Sequence, residues 1–276
     1  MTGWVPTTLQ GRRGWDQLLA EPAAALLAFD FDGTLSPIVD NPEQAYVHPA
    51  AVAVLARLGP AVGTVAVITG RPVETVLRLA PVAGVPGLQT LVVLGQYGVE
   101  RWDAITGEVE SPPAPPGVAQ VRAAFPDLLA RLGLGGARIE DKGRAVAVHV
   151  RELPDPEESL ARLQEPVSRL AATHGLSVEP GRLVLELRAP GMDKGRALRA
   201  LVRERGARCV VYAGDDLGDL AAYDEVDAMR DSGLAGILVC SASAEQGAVA
   251  ERADVVVTGP DGLVGWLERL ADRLGV

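Results

Sequence analysis

The feature that most limits the fold of this chain is the acidic segment Asp30-Phe31-Asp32-Gly33-Thr34, which follows an apolar run that begins at Ala23. The run predicts a buried strand from Ala23 to Phe31, although aspartate is a poor strand former. Side chains alternate along a strand, so Asp30 and Asp32 should point the same way and repel unless a cation or a proton holds them together. Open α/β sheets bind ligands at the carboxyl ends of their strands. The segment therefore predicts a metal-assisted site, with the backbone around Gly33 and Thr34 free to cradle an anion. An acidic turn after a core strand is the plainer alternative.

Composition and charge narrow the class of partner. The chain has 276 residues, of which 48% are apolar, with a formal net charge of −10 and a pI near 4.9. This length fits one large domain or, better, two smaller ones. The excess of negative charge disfavours nucleic acids and anionic membranes as partners. An anionic substrate requires a metal ion and a few local cations to reverse the field at its site.

Two further features bear on location. Cys209 and Cys240 lie beside apolar runs, which is typical of buried thiols in a reducing compartment. Residues 1–10 lack the basic end and apolar core of a signal peptide, and no run reaches the ~18 apolar residues that a membrane span needs. We therefore expect a soluble, cytoplasmic protein, and the sequence leaves its oligomeric state open.

Apolar strand-like runs alternate with helical patterns over much of the chain. A surface segment, 1–22, precedes the first strand, and further runs predict strands at 64–69, 91–94, 209–213, 237–240 and 255–257. Apolar strands that alternate with helices indicate a parallel, doubly wound (Rossmann-like) α/β sheet.

The pattern is different between residues 111 and 189. Gly107–Gly117 contains four prolines and predicts a stiff linker. An amphipathic stretch that Pro126 should interrupt follows, then a hairpin at Ile139–Val150, a second amphipathic stretch that Pro166 should kink or split, and two more strands. We expect an α+β cap domain of residues 111–189, inserted into a core of residues 1–110 and 190–276.

Polar side chains follow several core strands, and a lysine opens a helix. These residues are Asp30 and Asp32, Thr69, Lys194, and Asp215, Asp216 and Asp219. Because the carboxyl ends of parallel strands meet at one edge of a sheet, we expect them to share a cleft. Carboxylates without an accompanying His or Cys suit Mg²⁺, and a hydroxyl with a lysine suits a phosphoryl group. The pattern predicts phosphoryl transfer with a carboxylate nucleophile.

Four segments resemble, in order, the motifs of haloacid-dehalogenase-type phosphatases. They are Asp30–Leu35 (DFDGTL), Ile68–Arg71 (ITGR), Lys194 and Gly214–Asp216 (GDD), within residues 23–106 and 190–276. The resemblance implies that Asp30 is the nucleophile, forming an aspartyl-phosphate, and that Asp32 protonates the leaving oxygen and then activates water. A phosphate-ester hydrolase needs such an acid two residues after its nucleophile, whereas a dehalogenase does not.

The same resemblance implies the other roles at this edge. Thr69 would hold the phosphoryl group and Lys194 would neutralise charge, with Gly33, Thr34 and Gly70 near the substrate. Arg71 would either contact the phosphate or brace its loop. The implied Mg²⁺ ligands are Asp30, the Asp32 carbonyl and Asp215, and either Asp216 or Asp219 would support the metal.

The predicted cap resembles that of trehalose-6-phosphate phosphatases. The resemblance is carried by Ile139–Gly143 (IEDKG), a histidine-containing strand, Val184–Arg188 (VLELR) and Asp193–Gly195 (DKG). Glu140 and Lys142 are two residues apart and share a strand face, and Glu186 lies on a polar face with Arg188. Carboxylates accept hydrogen bonds from sugar hydroxyls and an ammonium donates them. The resemblance implies that Glu140, Lys142 and Glu186 bind the glucose unit distant from the phosphate; a solvated outer face is the alternative.

Two departures from the family pattern bear on the substrate. Tyr97 replaces a histidine in Gly95–Glu100, and Leu217-Gly218 replaces an arginine-containing pair after Asp216. His149 is interpreted as structural rather than catalytic.

The predicted function is Mg²⁺-dependent hydrolysis of a sugar phosphate, with trehalose 6-phosphate favoured. The alternatives are a phosphatase of sucrose phosphate, glucosylglycerate phosphate or an aminocyclitol glycoside phosphate, and a phosphosugar mutase.

Overall fold

The computed structural model describes residues 4–191, 193–242 and 247–276. It divides into two compact units, one formed by Met1–Ser111 with Asp193–Val276 and the other by Pro112–Met192. Residues 1–3 of the expected surface segment lie outside the described residues.

The strands are β1 (Ala25–Phe29), β2 (Thr64–Ile68), β3 (Leu91–Gly95), β4 (Glu100–Asp103), β5 (Val109–Glu110), β6 (Arg138–Asp141), β7 (Ala145–His149), β8 (Ser177–Gly181), β9 (Val184–Arg188), β10 (Cys209–Gly214), β11 (Ala235–Ala242) and β12 (Val255–Thr258). The helices are α1 (Leu9–Ala20), α2 (Ala51–Leu58), α3 (Val73–Leu79), α4 (Pro116–Arg131), α5 (Pro156–Thr173), α6 (Lys194–Arg205), α7 (Leu220–Asp231), α8 (Gly247–Arg252) and α9 (Gly259–Leu274).

The first unit is built on an eight-stranded sheet in the order β12-β11-β10-β1-β2-β3-β4-β5. Its first six members are parallel, and every residue of β1 is buried. Alternate residues of β1 enter different cores: Leu27 packs with α1, α2, α3 and α9, while Leu26 packs with α6, α7 and α8. Helices cover both faces, which is why the strands read as continuous apolar runs. The predicted doubly wound α/β core is confirmed.

The sheet extends further than the sequence indicated. The β4 and β5 strands add to it in antiparallel fashion, and β5 lies inside the segment that was expected to be only a linker. Both strands are short and polar, so their residues carry little of the apolar signal by which a strand is recognised.

The second unit has a four-stranded antiparallel sheet in the order β6-β7-β9-β8. Val146 and Leu187 lie on the sheet face that packs on α4 and α5, where Phe125 and Leu163 are fully buried. The predicted hairpin and the two later strands are present.

The expectations for the two prolines were wrong in one respect. Pro126 lies inside α4 and Pro166 inside α5, and both helices continue past them. Proline removes one backbone hydrogen bond, but Pro126 is exposed, so water can satisfy the carbonyl group that loses its partner. The apolar face of each helix packs on the sheet, and this packing outweighs the local preference.

None of the helices in the described ranges has the length and apolar character that crossing a bilayer requires.

Two helical glycines provide a test of the packing of α1 against the sheet. A Cβ at Gly14 would lie 2.2 Å from the Gly236 carbonyl oxygen, whereas a Cβ at Gly265 in α9 would meet nothing within 4 Å. Replacing a helical glycine with alanine normally stabilises a protein by up to about 1 kcal/mol. We expect Gly265→Ala to raise the free energy of unfolding by that amount, and Gly14→Ala to lower it by about 1–3 kcal/mol because the helix must move off the sheet. Urea denaturation followed by circular dichroism measures both. A gain in stability for both variants would contradict this packing.

Candidate active site

Asp30 lies immediately after β1, at the carboxyl edge of the first unit's sheet. Its backbone N–H donates to the Ala213 carbonyl oxygen (2.8 Å), which continues the parallel ladder by one residue. The residue is 4% exposed, and its Oδ1 lies 2.7 Å from Lys194 Nζ. A buried carboxylate oxygen is therefore held beside an ammonium group at the edge where α/β sheets bind ligands.

Lys194 is the first residue of α6, where the helix dipole disfavours a positive charge. Its ammonium lies 2.7 Å from both Asp30 Oδ1 and Asp219 Oδ1. Burial by itself lowers the pKa of Lys194, but the charges of Asp219 and Asp30 leave it well above the ordinary value. The lysine therefore stays charged between two carboxylates.

Asp219 belongs to the turn that follows β10. Its Oδ1 accepts hydrogen bonds from Lys194 Nζ (2.7 Å) and Tyr212 Oη (2.6 Å), and its Oδ2 accepts from the backbone N–H groups of Asp215 (2.9 Å) and Asp216 (3.1 Å). Both oxygens are thus occupied by donors. The arrangement fixes the backbone that carries Asp215 and holds Lys194 in place.

Three buried carboxylates meet here, because one oxygen each of Asp30, Asp215 and Asp219 lie within 4.8 Å of one another. Burial, followed by the charges of Asp219 and Asp216, raises the pKa of Asp215 to about 8. Burial also raises the pKa of Asp30 well above its usual value, although Lys194 opposes the shift. One ammonium leaves this cluster with excess negative charge, which a divalent cation would neutralise.

The donor set fits a hard, oxygen-seeking ion such as Mg²⁺. Asp30 and Asp215 have carboxylate oxygens available as ligands. Asp219 already accepts four hydrogen bonds, so it is better suited to orienting Lys194 and the backbone of Asp215 than to binding the ion. Asp216 was expected among the metal residues, but its carboxylate accepts from Gly218 N (2.8 Å) and caps the turn.

The turn after Asp30 brings its backbone against Asp215. Gly33 has φ = +74°, and a Cβ there would lie 2.1 Å from Asp215 Oδ2. Ser241 at the end of β11 donates to the Gly33 carbonyl oxygen (2.7 Å) and fixes the turn. The neighbouring Thr34 hydroxyl is buried and has no hydrogen-bond partner among the described residues. Only glycine fits at position 33, since a side chain there would displace the Asp215 carboxylate.

The Thr69–Arg71 loop lies on the neighbouring strand end. β1 and β2 pair with Phe29 opposite Val67, so Asp30 and Thr69 follow adjacent parallel strands at the same edge. Thr69 is 2% exposed, and its hydroxyl accepts a hydrogen bond from the Arg71 backbone N–H (3.2 Å).

The structure corrects the expectation that Asp30 and Asp32 share one cation. Asp32 lies beyond the strand, where a bridge to Ser36 starts a turn, and its carboxylate is held by Arg71. Arg71 Nε and Nη2 donate to Asp32 Oδ2 (2.6 Å) and Oδ1 (2.7 Å). The two aspartates therefore have different cationic partners, Lys194 and Arg71. The Asp32 carboxylate is not part of the acidic cluster, because the chain turns after Asp30 and strand alternation does not extend to Asp32.

The second unit brings its three predicted substrate residues onto one face of its sheet. In the strand register, Glu140 lies opposite Ala147, and Ala147 opposite Glu186. Lys142 Nζ lies 2.6 Å from Glu186 Oε2, and His149 Nε2 lies 2.6 Å from Glu140 Oε2. The hydrogen bond from His149 is the main cause that lowers the pKa of Glu140 to about 2, against the effect of burial. This polar face is opposite the one that packs on α4 and α5.

Sequence reasoning missed two residues that hold the site together, Tyr212 and Ser241. Tyr212 lies within an apolar strand and its hydroxyl is used internally, so its pattern resembles that of a core residue. Ser241 did carry a signal, because it directly follows the predicted strand at 237–240 and so lies at the same carboxyl edge.

A doubly wound sheet with a buried Asp–Lys–Asp cluster at its carboxyl edge and an inserted α+β unit defines the haloacid-dehalogenase-like class of fold. A haloacid dehalogenase-like hydrolase from Bacteroides thetaiotaomicron matches 89% of this chain and 99% of its own, with a TM-score of 0.59 and 18% identity. The C-terminal domain of a trehalose-6-phosphate phosphatase from C. albicans matches 99% of both chains, with a TM-score of 0.74 and 19% identity.

The chain belongs to the trehalose-phosphatase family, which matches residues 28–258. It is 32% identical over 253 residues to a trehalose-phosphate phosphatase of Mycobacterium avium, covering 89% of this chain and 62% of that protein. It is 35% identical over 248 residues to an uncharacterized glycosyl hydrolase of Mycobacterium tuberculosis, covering 85% of this chain but only 17% of that protein. The chain therefore spans less than two thirds of the length of these relatives.

The close approach of Gly33 to Asp215 predicts the effect of adding a side chain there. Gly33→Ala should weaken binding of Mg²⁺ by about 10- to 100-fold, because the new Cβ displaces the Asp215 carboxylate. Gly84→Ala is the matched control, since Gly84 has nearly the same φ of +72° but open space around its Cβ. Isothermal titration calorimetry measures the affinities. Equal affinities of the two variants would show that the contact is unimportant.

The raised pKa of Asp215 predicts how stability changes with pH in the absence of metal. The folded chain holds a proton there, up to a pKa of about 8, which the unfolded chain releases near 3.8. The folded state binds more protons in that interval, so its free energy of unfolding should fall as pH rises from about 4 through about 8. Asp215→Asn should reduce this fall, whereas the exposed Asp261→Asn should leave it unchanged. Urea unfolding in a chelator across this pH range measures the effect; identical profiles for Asp215→Asn and the wild type would contradict it.

Proposed function

We propose that this chain is a Mg²⁺-dependent phosphoric monoester hydrolase that converts trehalose 6-phosphate to trehalose and phosphate. The observation that carries the proposal is the buried cluster of Asp30, Lys194, Asp219 and Asp215 in a member of the trehalose-phosphatase family. A nucleophilic carboxylate beside a fixed cation, at the edge where α/β folds bind ligands, suits transfer of a phosphoryl group.

The proposed roles follow from the contacts of each side chain. Asp30 attacks phosphorus through a carboxylate oxygen and forms an aspartyl-phosphate. Asp32 gives its proton to the departing sugar oxygen, and it then takes a proton from the water that attacks phosphorus and releases Asp30. Lys194 neutralises the charge between Asp30 and the phosphoryl oxygens. Thr69, with the backbone of the Gly33–Thr34 turn and of Gly70, holds the phosphoryl group.

Mg²⁺ would be held by Asp30, Asp215 and the backbone carbonyl of Asp32, while Asp219 and Asp216 orient the turn that carries Asp215. The bound ion supplies neutralisation of the phosphoryl charge and of the like-charged carboxylates. Its charge would also oppose the burial and the neighbouring carboxylates that raise the pKa values of Asp30 and Asp215, so that Asp30 can act as an anion.

We assign recognition of the sugar to the polar face of the second unit. Glu140, Lys142 and Glu186 would bind hydroxyl groups of the glucose unit distant from the phosphate, and His149 would orient Glu140. One oxygen of each glutamate is held by its partner, so the orientation of the carboxylate exists before the sugar binds, which lowers the entropic cost of recognition, and Glu186 Oε1 is buried without a hydrogen bond among the described residues. In this proposal Pro112–Met192 acts as a cap that determines substrate choice and excludes water during phosphoryl transfer.

Two departures from the family pattern require that other sugar phosphates be tested as substrates. Tyr97 stands at a position where the family has histidine, and Leu217, 64% exposed, stands where the family pattern has arginine. Sucrose phosphate, glucosylglycerate phosphate and aminocyclitol glycoside phosphates are therefore included. A phosphosugar mutase needs cations for a second phosphate, whereas Lys142, Arg188 and Arg138 on this face each pair with one of its glutamates. We further propose a reducing, cytoplasmic location, which the two buried free thiols support.

The proposal predicts the outcome of a phosphate-release screen with Mg²⁺ over these sugar phosphates and glucose 6-phosphate. Trehalose 6-phosphate should be hydrolysed with the highest kcat/KM, and Asp30→Asn should reduce kcat to below about a thousandth because the nucleophile is lost. Activity confined to monosaccharide phosphates, or undiminished in Asp30→Asn, would refute it. Isomerisation of the sugar phosphate without release of phosphate would indicate the mutase.

The same screen separates sugar recognition from chemistry. Glu186→Gln should raise KM for trehalose 6-phosphate by about 10- to 100-fold while leaving hydrolysis of p-nitrophenyl phosphate unchanged, because that substrate has no sugar. Glu165→Gln is the control, since Glu165 is an exposed residue of α5 that pairs with Arg169. An equal effect of Glu186→Gln on both substrates would argue against the assigned role.

A further inference from the structure

We propose that Arg71 is a positioning residue for Asp32, which it holds by a bidentate ion pair, and that it does not bind the phosphate of the substrate. The inference rests on the proposed function and deepens it, because it assigns to this chain a residue that controls proton transfer.

The contact between Arg71 and Asp32 fixes both the position and the orientation of the Asp32 carboxylate. Arg71 Nε and Nη2 each donate to a different oxygen of Asp32, at 2.6 and 2.7 Å. The guanidinium carbon lies 5.9 Å from the centroid of the Phe31 ring, so the group also lies over the residue between the two aspartates. A planar fork that binds both oxygens fixes the orientation of a carboxylate, which a lysine at the same place would not do.

The backbone on either side of Arg71 is fixed as well. The Arg71 carbonyl oxygen accepts from Gln96 N (2.9 Å), and the Thr69 carbonyl oxygen accepts from Tyr97 N (2.9 Å). Gln96 and Tyr97 both have positive φ, 49° and 59°, which is uncommon for residues other than glycine and indicates a backbone held in place by its surroundings. A Cβ at Gly70 would lie 2.8 Å from Tyr97 Cζ, so the Tyr97 ring covers the loop.

The same geometry argues against a phosphate contact. The fork formed by Nε and Nη2 is occupied by Asp32, and a phosphate group would have to displace that carboxylate to gain a bidentate contact. Lys194 already supplies a buried positive charge beside Asp30, the proposed attacking group. An arginine whose backbone and fork are both engaged is suited to holding its partner rather than to following a substrate.

The chemical consequence depends on the leaving group. In the first proposed step, an Asp30 oxygen forms a bond to phosphorus while the bond between phosphorus and the sugar oxygen breaks. The sugar oxygen takes the proton of Asp32 and leaves as an alcohol. A sugar alkoxide is strongly basic and needs that proton, whereas p-nitrophenolate leaves readily without it. Loss of a residue that acts through Asp32 should therefore slow hydrolysis of the sugar phosphate and have little effect on hydrolysis of the aryl phosphate.

The test compares Arg71→Ala and Arg71→Lys with the wild type and Asp32→Asn on trehalose 6-phosphate and p-nitrophenyl phosphate. We expect Arg71→Ala to lower kcat on the sugar phosphate by about 100-fold, in the range of general acid catalysis, and on the aryl phosphate by less than about threefold. Asp32→Asn should show the same preference, and adding Arg71→Ala to it should cause little further loss. Arg71→Lys should lose activity in the same selective way, since it keeps the charge without the fork.

Three results would overturn the inference. Equal losses on both substrates, with weaker inhibition by inorganic phosphate, would make Arg71 a phosphate ligand. Unchanged kinetics in both Arg71 variants would make the pair purely structural. Additive losses in the double variant would separate Arg71 from Asp32. Arg78→Ala is the matched control, because this arginine of α3 makes an exposed ion pair with Glu43. Thermal unfolding identifies any variant that fails to fold, in which case Arg71→Lys alone carries the comparison.

The design also separates this inference from the proposed function. If the wild type hydrolyses no sugar phosphate, the comparison is made between phenyl phosphate and p-nitrophenyl phosphate, which differ in the basicity of the leaving group. A selective loss on phenyl phosphate in Arg71→Ala would then support the role of Arg71 although the proposed substrate is wrong. A chain without activity on any phosphate ester would overturn both.

Discussion

The carboxyl edge of the first unit's sheet depends on the ammonium group of Lys194. It lies 2.7 Å from both Asp30 and Asp219, which are far apart in the sequence. Without it, three buried carboxylates would face one another at the end of the sheet, an arrangement that is costly in a medium of low dielectric constant. The lysine opens α6 against the preference of the helix dipole. The fold thus holds a cation where local structure disfavours it, because the tertiary arrangement of aspartates requires one.

Lys194 does not fully balance the charge, and this imbalance links structure to function. The pKa values of Asp30 and Asp215 are raised because burial and neighbouring carboxylates disfavour their ionised forms. A divalent cation would relieve this repulsion, so the same feature that destabilises the metal-free site would favour metal binding. Asp219, whose oxygens accept four hydrogen bonds, keeps the turn rigid for that purpose. The repulsion among the buried carboxylates therefore favours binding of a divalent cation at the proposed site.

The acidic segment that begins at Asp30 has a different organisation from the one its spacing suggests. Regular alternation would place Asp30 and Asp32 side by side around a shared cation. The strand instead ends at Phe29, and the turn that follows, held by Ser241 and closed against Asp215 at Gly33, sends the two carboxylates to separate partners. Lys194 engages the first and Arg71 the second. This separation gives the two aspartates the different surroundings that their proposed roles, attack and proton transfer, require.

Much of the fold and part of the site followed from the sequence alone. Continuous apolar runs predicted the doubly wound sheet, since strands covered on both faces carry few polar residues. Because parallel strands end at one edge of the sheet, the sequence also predicted that residues far apart along the chain share that edge. The sequence did not determine that α4 and α5 continue through Pro126 and Pro166, because packing on the sheet outweighs local preference. Nor did it reveal that Arg71 binds Asp32, or that Tyr212 and Ser241 fix the turns around the cluster. These are contacts between side chains whose separation in space, unlike their position at a strand end, is decided only when the chain has packed.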